Sequence, residues 1–137
     1  MDSEMIESAR ARLRELPEPS EHRSPAMLIE ASALLVERAV SAQADHRADP
    51  SLPAPSQEEV AAALTLVEDL RDLLEHLEVQ VVQLAKARQM TWPQIAAAQD
   101  QKSPQAATQR HQRLVTRLVE RAGFGPESPI SAGGTGA

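Results

Sequence analysis

At 137 residues the chain has room for one domain, or one domain with tails. It contains no cysteine, which excludes disulfides and thiolate metal sites, and its aromatic content is 1%, Trp92 and Phe124 with no tyrosine. A formal net charge of −6 argues against whole-surface attraction to nucleic acid.

The apolar content is mostly Ala, Leu and Val, and no stretch alternates with period two. A core built from these residues comes from helix-on-helix packing, so the expected class is all-α. The specific expectation is a helical bundle with a long central helix leading into a C-terminal helix-turn-helix.

In chain order, residues 3–15 predict a short helix with a narrow apolar stripe of Met5, Ile6, Ala9 and Leu13, ended by Pro17 and Pro19. Residues 16–23 read as a polar linker. Ser24-Pro25 is a cap followed by proline, and a helix is expected from Pro25 to about Ala42. Its stripe is Leu28, Ala31, Leu35 and Ala39, widened by Ile29, Val36 and Val40. Residues 43–55, with Asp45, His46, Asp49, Pro50, Pro53 and Pro55, read as a second linker. The segment 1–55 is thus N-terminal helices and linkers.

Ser56-Gln57-Glu58-Glu59 is a capping box, and the helix behind it is expected to fill 56–89, about 50 Å long. Val60, Leu64, Val67, Leu70, Leu74, Leu77, Val81 and Leu84 step close to a heptad, which suits packing within the chain or a homodimer. Its carboxylates, Glu75 and Glu78 among them, read as a solvated face, with Arg71 placed beside Glu75.

Residues 90–122 carry the densest signal. Thr91 is a plausible cap with Pro93 in the first turn, and Trp92, Ile95 and Ala96 share one face. Gln99 to Lys102 has no apolar residue and reads as a break. Ser103-Pro104 starts a second helix, whose Ala107, His111, Leu114 and Leu118 cluster on one side. Val82, Leu84 and Ala85 of the preceding helix are expected to pack on Trp92, Ile95 and Leu114. Two helices joined this tightly, the second rich in Gln and Arg, predict a helix-turn-helix. After Gly123 the residues 123–137 read as a disordered tail.

The segment Thr91, Trp92, Ile95, Ala96, then Gln105, Ala106, Ala107, Gln109, Arg110, Arg113 and Leu114, resembles small actinobacterial helix-turn-helix DNA-binding proteins. It is also similar to Myb/SANT-like and sigma-region-4-like modules. The likeness covers roughly a quarter of the chain. It departs from the pattern at Gln99, Asp100 and Gln101, where a Leu-Gly-Leu-like turn is usual, and at His111, where an aromatic residue is common. The resemblance implies binding to double-stranded DNA and a role in transcription regulation.

On residue chemistry, Gln105, Gln109 and Arg113 are the base-edge candidates, since Gln can bond adenine bidentately and Arg guanine. Lys102, Arg110 and Arg117 would serve phosphates; Ser103, Thr108 and Gln112 complete the expected DNA-binding set. The only net positive segment is 91–137, with five basic side chains against three acidic. The bland alternative is that Gln and Arg are simply good helix formers on a solvated face, and that Arg110 pairs with a carboxylate of the preceding helix. A protein-protein interaction module with a degenerate helix-turn-helix is the second reading.

The histidines His22, His46, His76 and His111 make no metal-ligand spacing, and no phosphate loop or nucleophile motif occurs, so no enzyme chemistry and no cofactor is expected. The start Met1-Asp2-Ser3-Glu4 has no signal-peptide pattern, and no apolar run approaches a membrane span, so the expectation is a cytoplasmic, nucleoid-associated protein without membrane contact.

Overall fold

The computed structural model describes residues 2–18 and 25–122. Ser24, His22, most of the first linker and the tail from Gly123 lie outside the described residues. Within them the chain is all-helical, with α1 at Ser3–Arg14, α2 at Pro25–Ala48, α3 at Gln57–Ala87, α4 at Trp92–Ala98 and α5 at Pro104–Arg121. It divides into two units, Met1–Leu73 and Leu74–Ala137, and α3 runs through both. No described helix is long and apolar enough to cross a membrane.

In the first unit, Asp2 caps α1 by accepting from the Met5 amide at 2.8 Å. Acidic Glu4 lies in the first turn and basic Arg12 and Arg14 in the last, the arrangement the helix dipole favours. α2 extends six residues past the expected end at Ala42. The segment Gln43 to Ala48 contains two alanines and no helix breaker, so the prolines that follow, not Asp45 or His46, set the boundary. Asp49 then turns the chain: its Oδ1 accepts from the Ser51 amide at 3.1 Å and the Ser51 hydroxyl at 2.7 Å. These bonds hold the Asp49 carboxyl below its ordinary range. His46 Nδ1 lies 2.6 Å from the Leu52 carbonyl oxygen and ties the loop back to α2.

α3 opens on the capping box read from the sequence. The Glu59 amide donates to Ser56 Oγ at 3.1 Å and Glu59 Oε1 accepts from the Ser56 amide at 2.9 Å. Leu35, Ala39 and Ala42 of α2 and Ala62, Ala63 and Leu66 of α3 line a shared groove. Yet no described residue of this unit is buried, and Leu28, Leu34, Leu35, Val40 and Leu64 are all exposed. The expected N-terminal bundle core is therefore not formed by these elements alone.

The buried residues all belong to the second unit: Val79, Val82, Ile95, Ala96, Ala107 and Leu114. Val82, Ile95, Ala96 and Ala107 form one cluster, with Ala85, Met90 and Trp92 packed against it. Val82 and Ala85 thus meet Ile95 and Trp92 as the spacing predicts, while Leu114 is buried but outside this cluster. Leu84 does not meet them; it is 59% exposed, because it lies on a different face of α3 from Val82.

Candidate nucleic-acid interface

α4 and α5 are placed by two chain reversals that share one mechanism. At the end of α3 the Met90 amide donates to the Ala85 carbonyl at 3.0 Å and the Gln89 amide to Lys86 at 3.0 Å. At the end of α4 the Gln101 amide donates to Ala96 at 2.8 Å and the Asp100 amide to Ala97 at 3.2 Å. Each is a 6→1 bond enclosing a 5→2 bond, the Schellman pattern, with the intervening residue left-handed. Those residues are Gln89 (φ 64) and Asp100 (φ 55), not glycine. All five glycines of the chain lie at position 123 or beyond, so the turns are closed with side chains that carry a steric cost. Asp100 occupies the place where the resemblance leads one to expect glycine.

The starts are as well defined as the ends. Thr91 Oγ1 accepts from the Gln94 amide at 3.3 Å while Gln94 Oε1 accepts from the Thr91 amide at 2.8 Å, a second capping box. Ser103 Oγ accepts from the Ala106 amide at 3.1 Å ahead of Pro104. Thr91 and Ser103 were expected as caps; the return bond from Gln94 was legible in the Thr-x-x-Gln spacing and was missed.

Trp92 is half-buried against His111, with ring centroids 6.0 Å apart, and Lys86 Nζ lies 5.1 Å from its ring centroid. Lys86 also donates to the Met90 carbonyl at 3.3 Å. His111 takes the seam position the helical wheel assigns it. Its Nδ1 is buried without a hydrogen-bond partner, as is Gln99 Oε1 in the turn.

The expected site residues separate into two sets. Gln105, Gln109, Gln112 and Arg113 are exposed on the outer side of α5, with Lys102 exposed in the turn before it. Neither Arg113 nor Lys102 makes an ion pair among the described residues. Ser103 and Thr108 are half-buried and serve the helix itself, Ser103 as cap and Thr108 by donating from Oγ1 to the Pro104 carbonyl at 2.9 Å.

Arg110 and Arg117 face α3 instead. Arg110 Nε and Nη2 donate to Glu78 at 2.6 and 2.8 Å. Arg117 Nη1 lies 2.8 Å from Glu75 Oε1, and Arg121 Nη1 donates to Glu75 Oε2 at 3.1 Å. Glu75 and Glu78 are therefore not the solvated face expected of them; both are half-buried ion-pair centres. Arg71 pairs with Glu68 at 3.1 Å, not with Glu75. The hydrogen bonds from Arg110 hold the Glu78 carboxyl below its ordinary range against the opposing effect of burial. The same contact raises the Arg110 guanidinium further. Residues 110, 117 and 121 step by seven and four, one stripe of α5, and 75 and 78 step by three on α3, but only the packing of the two helices shows that these stripes meet.

The outer face of α5 therefore offers amides and one unpaired guanidinium, with one ammonium in the turn. That set can hydrogen-bond base edges and carries little charge. Among the described residues no group of three or more potential ligands is placed to hold a metal. Comparison with protein-family models, with curated proteins and with solved structures finds no match to this chain.

Proposed function

We propose that the protein binds double-stranded DNA sequence-specifically as a transcriptional regulator at the nucleoid, laying α5 in the major groove. The reading rests on one observation: Gln105, Gln109 and Arg113 stand exposed along one side of a helix held by a capped, two-turn helical unit. Gln105 and Gln109 suit adenine and Arg113 suits guanine, while Lys102 and the flanking groups contact phosphates. A homodimer would present two such helices to a two-fold symmetric site. The chemistry is that of a binding protein without a cofactor.

The test is selection of bound sequences from a random duplex pool, followed by substitution. Arg113→Ala and Gln109→Ala are each expected to weaken the selected site by about 1–3 kcal/mol. Failure to enrich any sequence, or unchanged affinity in both variants, overturns the reading.

A second reading draws on the Glu75 and Glu78 ion pairs. They neutralise much of the positive charge of α5. A helix so compensated suits a protein-interaction module that keeps the helix-turn-helix shape without its duplex. Absence of DNA selection together with a purified protein partner binding α5 would favour it.

A further inference from the structure

We propose that α3 pairs with α3 of a second copy of this chain as a parallel, in-register, two-stranded coiled coil. The proposal specifies the surface, strand number and polarity of the dimer invoked above, and it stands without the DNA-binding reading.

The argument begins with register. Starting from Val60, the a positions are Val60, Val67, Leu74 and Val81 and the d positions are Ala63, Leu70, Leu77 and Leu84. Four uninterrupted heptads meet the length at which an apolar seam indicates a coiled coil. β-Branched residues at a with leucine at d favour two parallel strands over three or four. Three of the four a residues are valine and three of the four d residues are leucine. No charged residue interrupts the seam within α3.

Half of the seam is open. Val60, Leu74, Val81 and Leu84 are 44%, 54%, 60% and 59% exposed, while Ala63, Val67, Leu70 and Leu77 are half-buried, Ala63 in the groove shared with α2. In the second unit α4 and α5 occupy other positions of α3: Glu75 and Glu78 take the arginines, and Val79 and Val82 are buried. Leu74, Val81 and Leu84 are left without a cover from their own unit. A seam of identical knobs and holes is its own complement, which is the reason to assign a second copy and not an unrelated chain.

Charge is permissive in this register. Parallel pairing sets each g residue against the e residue five positions on in the partner. Here that gives Glu59 with Leu64, Leu66 with Arg71, Leu73 with Glu78 and Gln80 with Ala85, none of them a like-charge pair.

The absence of native cysteine makes the test clean. Leu70→Cys and Leu84→Cys are prepared separately and held, without nucleic acid, in a buffer of oxidised and reduced glutathione. The expected result is a homotypic disulfide dimer in both variants, since a parallel pair sets every d residue opposite itself. An antiparallel pair can bring only one of two positions so far apart against its own copy, so crosslinking at one alone overturns the polarity. The unmodified chain is expected to sediment as a dimer at tens of micromolar, and a monomer overturns the proposal. Val81→Asp is expected to lower the association constant at least tenfold, while Gln83→Asp, the same charge change at an exposed position beside the seam, leaves it unchanged. Because every arm omits DNA, a failure here is separate from a failure of sequence selection.

Discussion

The guanidinium of Arg110 meets the carboxylate of Glu78 through two hydrogen bonds, Nε to Oε2 at 2.6 Å and Nη2 to Oε1 at 2.8 Å. The contact joins residues 32 positions apart and fixes the rotation of α5 about its own axis. Arg113, three residues on and displaced around the helix from Arg110, stays exposed and makes no ion pair among the described residues.

This pair predicts an acid-sensitive stability. The Glu78 carboxyl is held below its ordinary value of 4.5, so its contribution is complete above that pH and is lost as pH falls through the lower folded value. Glu78→Gln is expected to cost about 1 kcal/mol at neutral pH, a figure kept small because the Arg110 side chain is still partly in solvent. Urea unfolding of the two proteins at a series of pH values checks it; the gap should narrow as pH falls below 4.5.

The same ion pairs predict a shallow salt dependence for DNA binding. With Lys102 and Arg113 as the cations on and before α5 without an ion pair among the described residues, the slope of log K against log salt should be about −0.9 for each phosphate neutralised, or roughly −2 per copy. Glu75→Gln releases Arg117 and is expected to steepen that slope and strengthen binding to unrelated sequences. Anisotropy titrations across a salt series measure both.

The left-handed Gln89 predicts a stabilising change. Gln89→Gly removes a side chain from a positive-φ position that the turn after α3 requires. It is expected to raise stability by about 0.5–1 kcal/mol, the lower end reflecting the greater freedom glycine gives the unfolded chain. Thermal melts of the variant and the parent test this.

The starts of α4 and α5 were legible in the sequence because Thr91, Ser103 and the two prolines that follow them are local signals. The ends of α3 and α4 were placed from loss of apolar pattern alone, since Gln89 and Asp100 give no glycine to mark them. Burial of Ile95, Ala107 and Leu114 followed from helical spacing. What spacing on one helix does not reveal is which carboxylate a given arginine faces, and so Arg110 and Arg117 read as phosphate ligands and Glu75 and Glu78 as surface. The end of α2 was misplaced for a different reason. Asp45, His46 and Arg47 are polar, but polarity on a half-exposed helix does not break it; Pro50 comes later.

The small core predicts a severe response to truncation. Ile95 is 3% exposed and sits with Val82, Ala96 and Ala107. Ile95→Ala is expected to cost about 2–4 kcal/mol, enough to unfold the second unit given how few residues share the load. By contrast His111→Leu removes a buried nitrogen that has no partner, and is expected to stabilise by about 1 kcal/mol. Circular dichroism of the two variants in denaturant gives opposite signs.

Trp92 is the chain's sole tryptophan, and its indole is wedged between the His111 imidazole and the Lys86 ammonium. Nearly all intrinsic fluorescence therefore originates where the start of α4 meets α5. The molecule carries a built-in optical reporter for that one locality, blind to α1 and α2. A change in its emission on duplex addition would be read there and nowhere else.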